Sequence, residues 1–350
     1  MRRQTTSGGL LMKAFPHRAR ALAAVATFAL AGTLSGGAAS AQTAKFSYPV
    51  ARESTMGQTV DRFVELVTEK SGGAVKVRAF PAAQIGNEID SISAAQGGII
   101  EMAVTTTAGL AALVPEFNLF NLPFQFASYE QLDDVTRSPV SETILAKLEP
   151  ANLKGLCFWD YGFRNITNNK RPVTKLEDVK GLRVRTIQNG VYIDSLAALG
   201  INPTPLPYPE TFTALETGAI DGNEIANDVT RSTSFYEVQD YLTETKHFTT
   251  ISVVYASKKF WDGLDEAQKG AVQEACAEAS QYNRQIINDQ AGETLQFLKD
   301  KGMQIDEISE ANLEAFREAV QPVKDKVNGG LDPEIVSAFY KQLDASATAD

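Results

Sequence analysis

Strand-like and helix-like runs alternate along the chain from residue 45 onward, and that alternation confines it to an α/β fold. Residues 45–50 (KFSYPV) read as a strand. In 54–70, Val60, Phe63, Val64 and Val67 recur at helical spacing, and Ser71-Gly72-Gly73 ends the helix. Residues 74–80 (AVKVRAF) alternate as a strand, 87–96 read as a helix stopped by Gly97-Gly98, and 99–105 form another strand. Such a β-α-β-α-β run predicts a parallel sheet with helices on both faces. A second run follows, with strands at 153–159, 163–167 and 182–186 and a helix at 191–199 closed by Gly200. An extended stretch at 203–206, a helix at 211–216 and a strand opening near 219–221 complete it.

SISAAQGGIIEMA (91–103) resembles TFTALETGAIDGNE (211–224), a faint internal repeat of helix, glycine stop and strand. Two similar lobes in one chain predict a clamshell with a cleft between them. Lobe 1 is expected to take residues 42–123 and the return segment 251–350, and lobe 2 mainly 124–250. FNLPFQF (120–126) is expected to begin the crossing between lobes, and 249–257 to cross back. Residues 268–299 read as one or two long helices, and helices near 310–326 and 332–343 close the chain.

The first 41 residues obey a different pattern. Five of the chain's 33 basic residues lie there, and none of its 43 acidic ones. An apolar run at 21–34 (ALAAVATFALAGTL) follows the basic stretch, and Ala39-Ser40-Ala41 follows that. This is the anatomy of a cleaved secretory signal peptide, with a mature chain starting at Gln42 and destined for the periplasm. The run is shorter than the ~20 residues that span a bilayer. The remaining 28 basic residues face all 43 acidic ones, a net −15. Such a charge excludes a nucleic-acid partner, because phosphate binding needs a basic face.

Catalytic signatures are missing. No G-x-S-x-G elbow, P-loop or G-x-G-x-x-G occurs. His247 is the one histidine beyond the leader, and it reads as a surface or hydrogen-bonded side chain. Cys157 and Cys276 read as buried thiols, with a disulfide open to them in an oxidising compartment. Neither an enzyme, a metal site nor a cofactor is expected.

Three polar clusters stand out: 162–169 (GFRNITNN), 181–185 (GLRVR) and 221–224 (DGNE). In the strand LRVRT, Leu182 and Val184 share one face and Arg183 and Arg185 the other. A guanidinium on a strand offers a planar fork of donors to a carboxylate, or an ordinary surface ion pair.

Several ordered blocks resemble the DctP-type solute-binding proteins of tripartite ATP-independent periplasmic (TRAP) transporters. They are PAAQIGNE (81–88), FNLPFQF (120–126), YGFRNITNNKRPV (161–173), DVKGLRVRT (178–186) and PTPLPYPETFTALETGAIDGNE (203–224). FYEVQDYL (235–242) and FWDGL (260–264) fit as well. The resemblance implies a ligand site made of Arg185, Arg164, Tyr208, Thr106, Asn189, Asn223 and Glu224, with Arg185 as the principal carboxylate binder. It also implies a small organic acid as ligand and two membrane subunits, one small and one large, as partners. Ile225-Ala226 after Glu224 departs from the sialic-acid pattern, and the tryptophan of metal-assisted members is missing there. An amino-acid binder or sensor of an ATP-driven importer is the alternative, with Glu224 facing an ammonium.

Overall fold

A computed structural model describes residues 42–347. The leader and its cleavage site lie outside the described residues. Nine strands form one mixed sheet. They are β1 (Gln42–Ser47), β2 (Val75–Phe80), β3 (Met102–Thr106), β4 (Leu153–Asn168), β5 (Arg183–Thr186), β6 (Asn202–Pro205), β7 (Gly222–Ala226), β8 (Tyr241–Ser257) and β9 (Gln304–Glu307). The order is β2-β1-β3-β8-β4-β7-β5-β6, with β9 beside β8.

The two parallel blocks follow the expected pattern: β2, β1 and β3 pair parallel, and so do β6, β5 and β7. Their junction corrects the expectation of a parallel sheet. The strands expected at 153–159 and 163–167 are one strand of 16 residues, β4, and β8 is 17 residues long. These two pair antiparallel along almost their full length, from Leu153↔Ser257 to Asn168↔Tyr241. β3 attaches to β8 at residues 252–256, and β7 attaches to β4 at residues 164–168. Each block therefore docks on a different half of one ribbon, which makes the two lobes. Register shifts fall between the halves, at Asp160/Phe163 and Arg164/Ile166. Gly162 adopts φ +90° there, a conformation costly for any other residue. This irregularity is why the sequence pattern broke at 160–162.

Local signals set the helices. Ser54 caps the Thr55–Lys70 helix by accepting from the Gly57 amide, and Met56, Val60, Phe63 and Val67 are buried on one face. Asn87 and Asp90 form a capping box that opens the Glu88–Gln96 helix. Residues 268–299 belong to a single helix, Glu266–Asp300, opened by the Asp265/Gln268 box. At 1.5 Å per residue its 35 residues reach about 52 Å, enough to lie along both lobes. Side chains bear this out: Asn283 bonds Thr59 of the first block, and Arg231, beyond β7, bonds Glu293.

Aromatic cores fill both faces. Phe46, Phe63 and Trp159 stack beneath the long helix, and Phe120, Phe158 and Phe339 pack on the opposite face. Phe120, Leu122 and Phe126 are buried in that second core, which also takes in Leu132 and Ile144, while the half-buried Phe124 packs against a third. A third core gathers Ile166, Val184, Tyr192, Phe248 and Phe316 around the second block.

Cys157 and Cys276 form a disulfide between β4 and the long helix, so the reading as free thiols is corrected. The bulge after Gly155 brings Cys157 within 5.9 Å (Cα to Cα) of Cys276, inside bridging range. Sequence spacing could not show this, since 119 residues separate the two. The double variant Cys157→Ala/Cys276→Ala is expected to lose about 2–5 kcal/mol in urea unfolding. Thiol titration of the denatured wild type should find no reactive thiol.

Candidate ligand-binding site

Both blocks and the ribbon meet around one pocket that is partly open to solvent. Glu88 and Thr106 reach it from the first block, Arg185 and Tyr208 from the second, and Arg164 and Thr250 from the ribbon. Pleat geometry explains the most connected of these. Arg164 lies opposite Ala226, and Ile166 opposite Glu224. Arg164 and Glu224 are thus diagonal neighbours on one face of the sheet, within reach of long side chains. Gly222 allows β7 this close: a Cβ there would sit 2.2 Å from the Thr167 carbonyl oxygen. That contact explains the glycine of D-G-N-E.

Arg164 and Glu224 are both buried, and their pair is bidentate. Nη2 donates to Glu224 Oε1 at 2.8 Å, Nε donates to Oε2, and Nη1 donates to Thr250 Oγ1 at 2.7 Å. Thr186 Oγ1 donates to Glu224 Oε1 at 2.6 Å. His247 Nε2 stands 3.6 Å from Glu224 Oε2, and its Nδ1 meets Thr245 Oγ1 at 2.6 Å. Burial alone would raise the Glu224 pKa, but the Arg164 guanidinium and His247 hold it at about 2. Burial lowers the His247 pKa, against the pull of Glu224.

Arg185 differs sharply. It is buried, yet among the described residues no carboxylate pairs with it; Nε and Nη2 donate only to the Leu206 carbonyl, at 3.1 and 2.9 Å. Its guanidinium lies 5.8 Å from the centre of the Tyr208 ring. Burial and the neighbouring Arg164 lower its pKa to about 10, so it stays charged at neutral pH. A buried cation without a counter-ion is costly unless something anionic completes it. Arg183, two residues earlier, pairs with Asp221 at 2.7 Å at the surface.

Of the seven residues marked from sequence, Arg185, Arg164, Tyr208 and Thr106 line the cavity. Glu224 backs Arg164 from outside it. Asn223 is fully buried, with neither amide atom hydrogen-bonded. Asn189 caps the Gly190–Ala198 helix and donates to the Ala108 carbonyl and Asn118, bridging the two blocks. A second bridge joins the Thr55 amide and hydroxyl to Asp228, both at 3.0 Å. Glu88 and Thr250 were missed. Glu88 closes the QIGNE block, where its position at a helix start reads as capping; Thr250 is one hydroxyl in a β-branched run. No group of His, Cys, Asp and Glu that could hold a metal occurs among the described residues. Nor is any described helix long and apolar enough to cross a membrane.

Two lobes meeting around a shared pocket are the architecture of a small-ligand binding protein. The chain belongs to the bacterial extracellular solute-binding protein family 7 (DctP), whose model matches residues 46–329. It is 32% identical to the C4-dicarboxylate-binding periplasmic protein DctP of Rhodobacter capsulatus over 84% of this chain and 89% of that one. The sugar acid binding protein of Advenella mimigardefordensis, solved with galactonate, aligns with a TM-score of 0.85 and 33% identity. That match covers 87% of this chain and 99% of the other. A TRAP periplasmic solute-binding protein of a Polaromonas species, bound to D-erythronate, aligns at 0.82 and 32%, covering 85% and 98%. The protein is thus a transport solute-binding protein and not an enzyme.

The Arg164–Glu224 pair yields a pH prediction with a definite sign. The folded-state pKa of Glu224 is depressed to about 2, so its stabilisation is complete above the unfolded value of about 4.3. It is lost as pH falls from about 4.5 toward 2. The Glu224→Gln variant should therefore show a shallower fall of urea midpoint over that interval than the wild type. Glu224→Ala, which strands a buried guanidinium, should cost about 3–5 kcal/mol at pH 7.

Proposed function

We propose that Arg185 is the principal carboxylate anchor of this transport protein, and that the ligand is a small organic acid enclosed between the lobes. The observation that carries the reading is the buried guanidinium of Arg185 without an anionic partner. A ligand carboxylate would complete it with charge-assisted hydrogen bonds, each worth roughly 1.5–3 kcal/mol. Tyr208 would pack on the ligand's carbon body. Arg164 acts mainly as a positioned donor, because Glu224 already offsets its charge. Its engagement with Arg164 also removes Glu224 as a partner for an amino-acid ammonium.

Residues 42–123 and 251–350 are assigned chiefly to one lobe and 124–250 mainly to the other, with β4 and β8 carrying the chain between them. Closure of the cleft would be held by the Thr55–Asp228 and Asn189–Ala108 contacts. Sequence supports export to the periplasm with Gln42 as the first mature residue, and family membership supports delivery to the small and large membrane subunits of a TRAP transporter.

A thermal-shift screen of organic acids identifies the ligand, because binding to the native state raises its melting temperature. Calorimetry with the best acid should then show Arg185→Ala weakening binding by about 3–5 kcal/mol. A loss below about tenfold would remove Arg185 from the role of anchor.

A further inference from the structure

The charges of the cavity do not match a diacid. Arg164 and Glu224 offset one another in a bidentate pair. Among the described residues Arg185 is then the cation of the wall with no carboxylate hydrogen-bonded to it, suited to one ligand carboxylate. Glu88 is the remaining ionisable acid on the wall. Its two oxygens accept from the Thr106 amide at 2.6 Å and the Thr106 hydroxyl at 3.2 Å, which fixes the carboxyl group in place. Each oxygen retains acceptor capacity for one more donor. A second ligand carboxylate would meet Glu88 in a space where like charges are poorly screened.

Much of the rest of the wall is apolar: Val50, Ile187, Ile225 and Val229 face the same space, beside the rings of Tyr161 and Tyr208 and the Thr250 hydroxyl. A long polyol would bring several hydroxyl groups against the apolar side chains, and a buried hydroxyl without a partner is costly. An ammonium group is a poorer match to Glu88 than a hydroxyl. It needs several acceptors at once, and each Glu88 oxygen is already engaged by Thr106.

Resting on the reading of Arg185 as carboxylate anchor, we propose that Glu88 is the specificity-determining residue of the site. It selects a short hydroxy monocarboxylic acid with an aliphatic body, accepting the ligand's hydroxyl and rejecting dicarboxylates. Glu88 thereby works against a second negative charge, and Arg164 supplies no compensation for it.

Titration calorimetry of the mature protein with five probes tests this: 2-hydroxyisovalerate, isovalerate, succinate, gluconate and L-valine. The hydroxy acid should bind at least tenfold more tightly than each of the others. In Glu88→Gln, which keeps an acceptor for the Thr106 amide, the preference for 2-hydroxyisovalerate over succinate should shrink at least tenfold. Its melting temperature without ligand should stay near that of the wild type. Tightest binding of succinate, gluconate or L-valine by the wild type overturns the proposal while leaving the Arg185 anchor standing. An unchanged preference in a folded Glu88→Gln variant removes Glu88 from the role. Failure of all five, together with a broad acid screen that finds no ligand, overturns the organic-acid reading itself.

Discussion

The antiparallel pairing of β4 with β8 is the contact to which both lobes are attached. Neither three-stranded block touches the other through sheet hydrogen bonds; one docks on β8 and the other on β4. A hydrogen-bonded ribbon is stiff along its length and twists most easily where its register slips. Two of its three slips lie at Asp160/Phe163 and Arg164/Ile166, level with the cavity; the third is at Gly155/Cys157. The place where the two lobes are joined is therefore also a place where side chains project into the pocket. Arg164 and Thr250 belong to the ribbon itself, so relative movement of the lobes and the geometry of the site are linked by construction.

Around this ribbon the protein sets two arginines to different tasks. Arg164 is held on four sides, by both oxygens of Glu224, by its carbonyl and by Thr250. Arg185 is held only by one carbonyl. In a chain with a large acidic excess, long-range attraction does not bring an anion in; the local environment must do so. Burying one cation without a partner concentrates the attraction at a single point. The long helix and the Cys157–Cys276 bridge supply the rigidity that such an arrangement needs, because an uncompensated charge would otherwise draw water or a neighbouring carboxylate.

Much of this was written into the linear chain. Period-two and period-3.6 runs with glycine stops located most strands and helices; alternation in L-R-V-R-T only put Arg183 and Arg185 on one face, and likeness to a known family singled out Arg185 as the principal carboxylate binder. The blocks shared with a known family marked Arg164, Tyr208, Thr106 and Glu224. Local propensity and pattern act over a few residues, and these features are local.

Pairing is not local, and there the chain alone fell silent. It could not say that β4 runs unbroken through Gly162, since a bulge interrupts the alternation that identifies a strand. Nor could it show that Cys157 meets Cys276 across 119 residues. It marked both arginines as ligand contacts, Arg185 foremost; only the register that sets Glu224 diagonal to Arg164 decides that Arg164 is paired with a carboxylate and Arg185 is not. Glu88 became a site residue only when the first block folded against the second. The sequence by itself determined the elements and the types of side chain available to bind an acid. Tertiary structure decided which charges cancel, because electrostatic compensation depends on distances between strands that no spacing along the chain encodes.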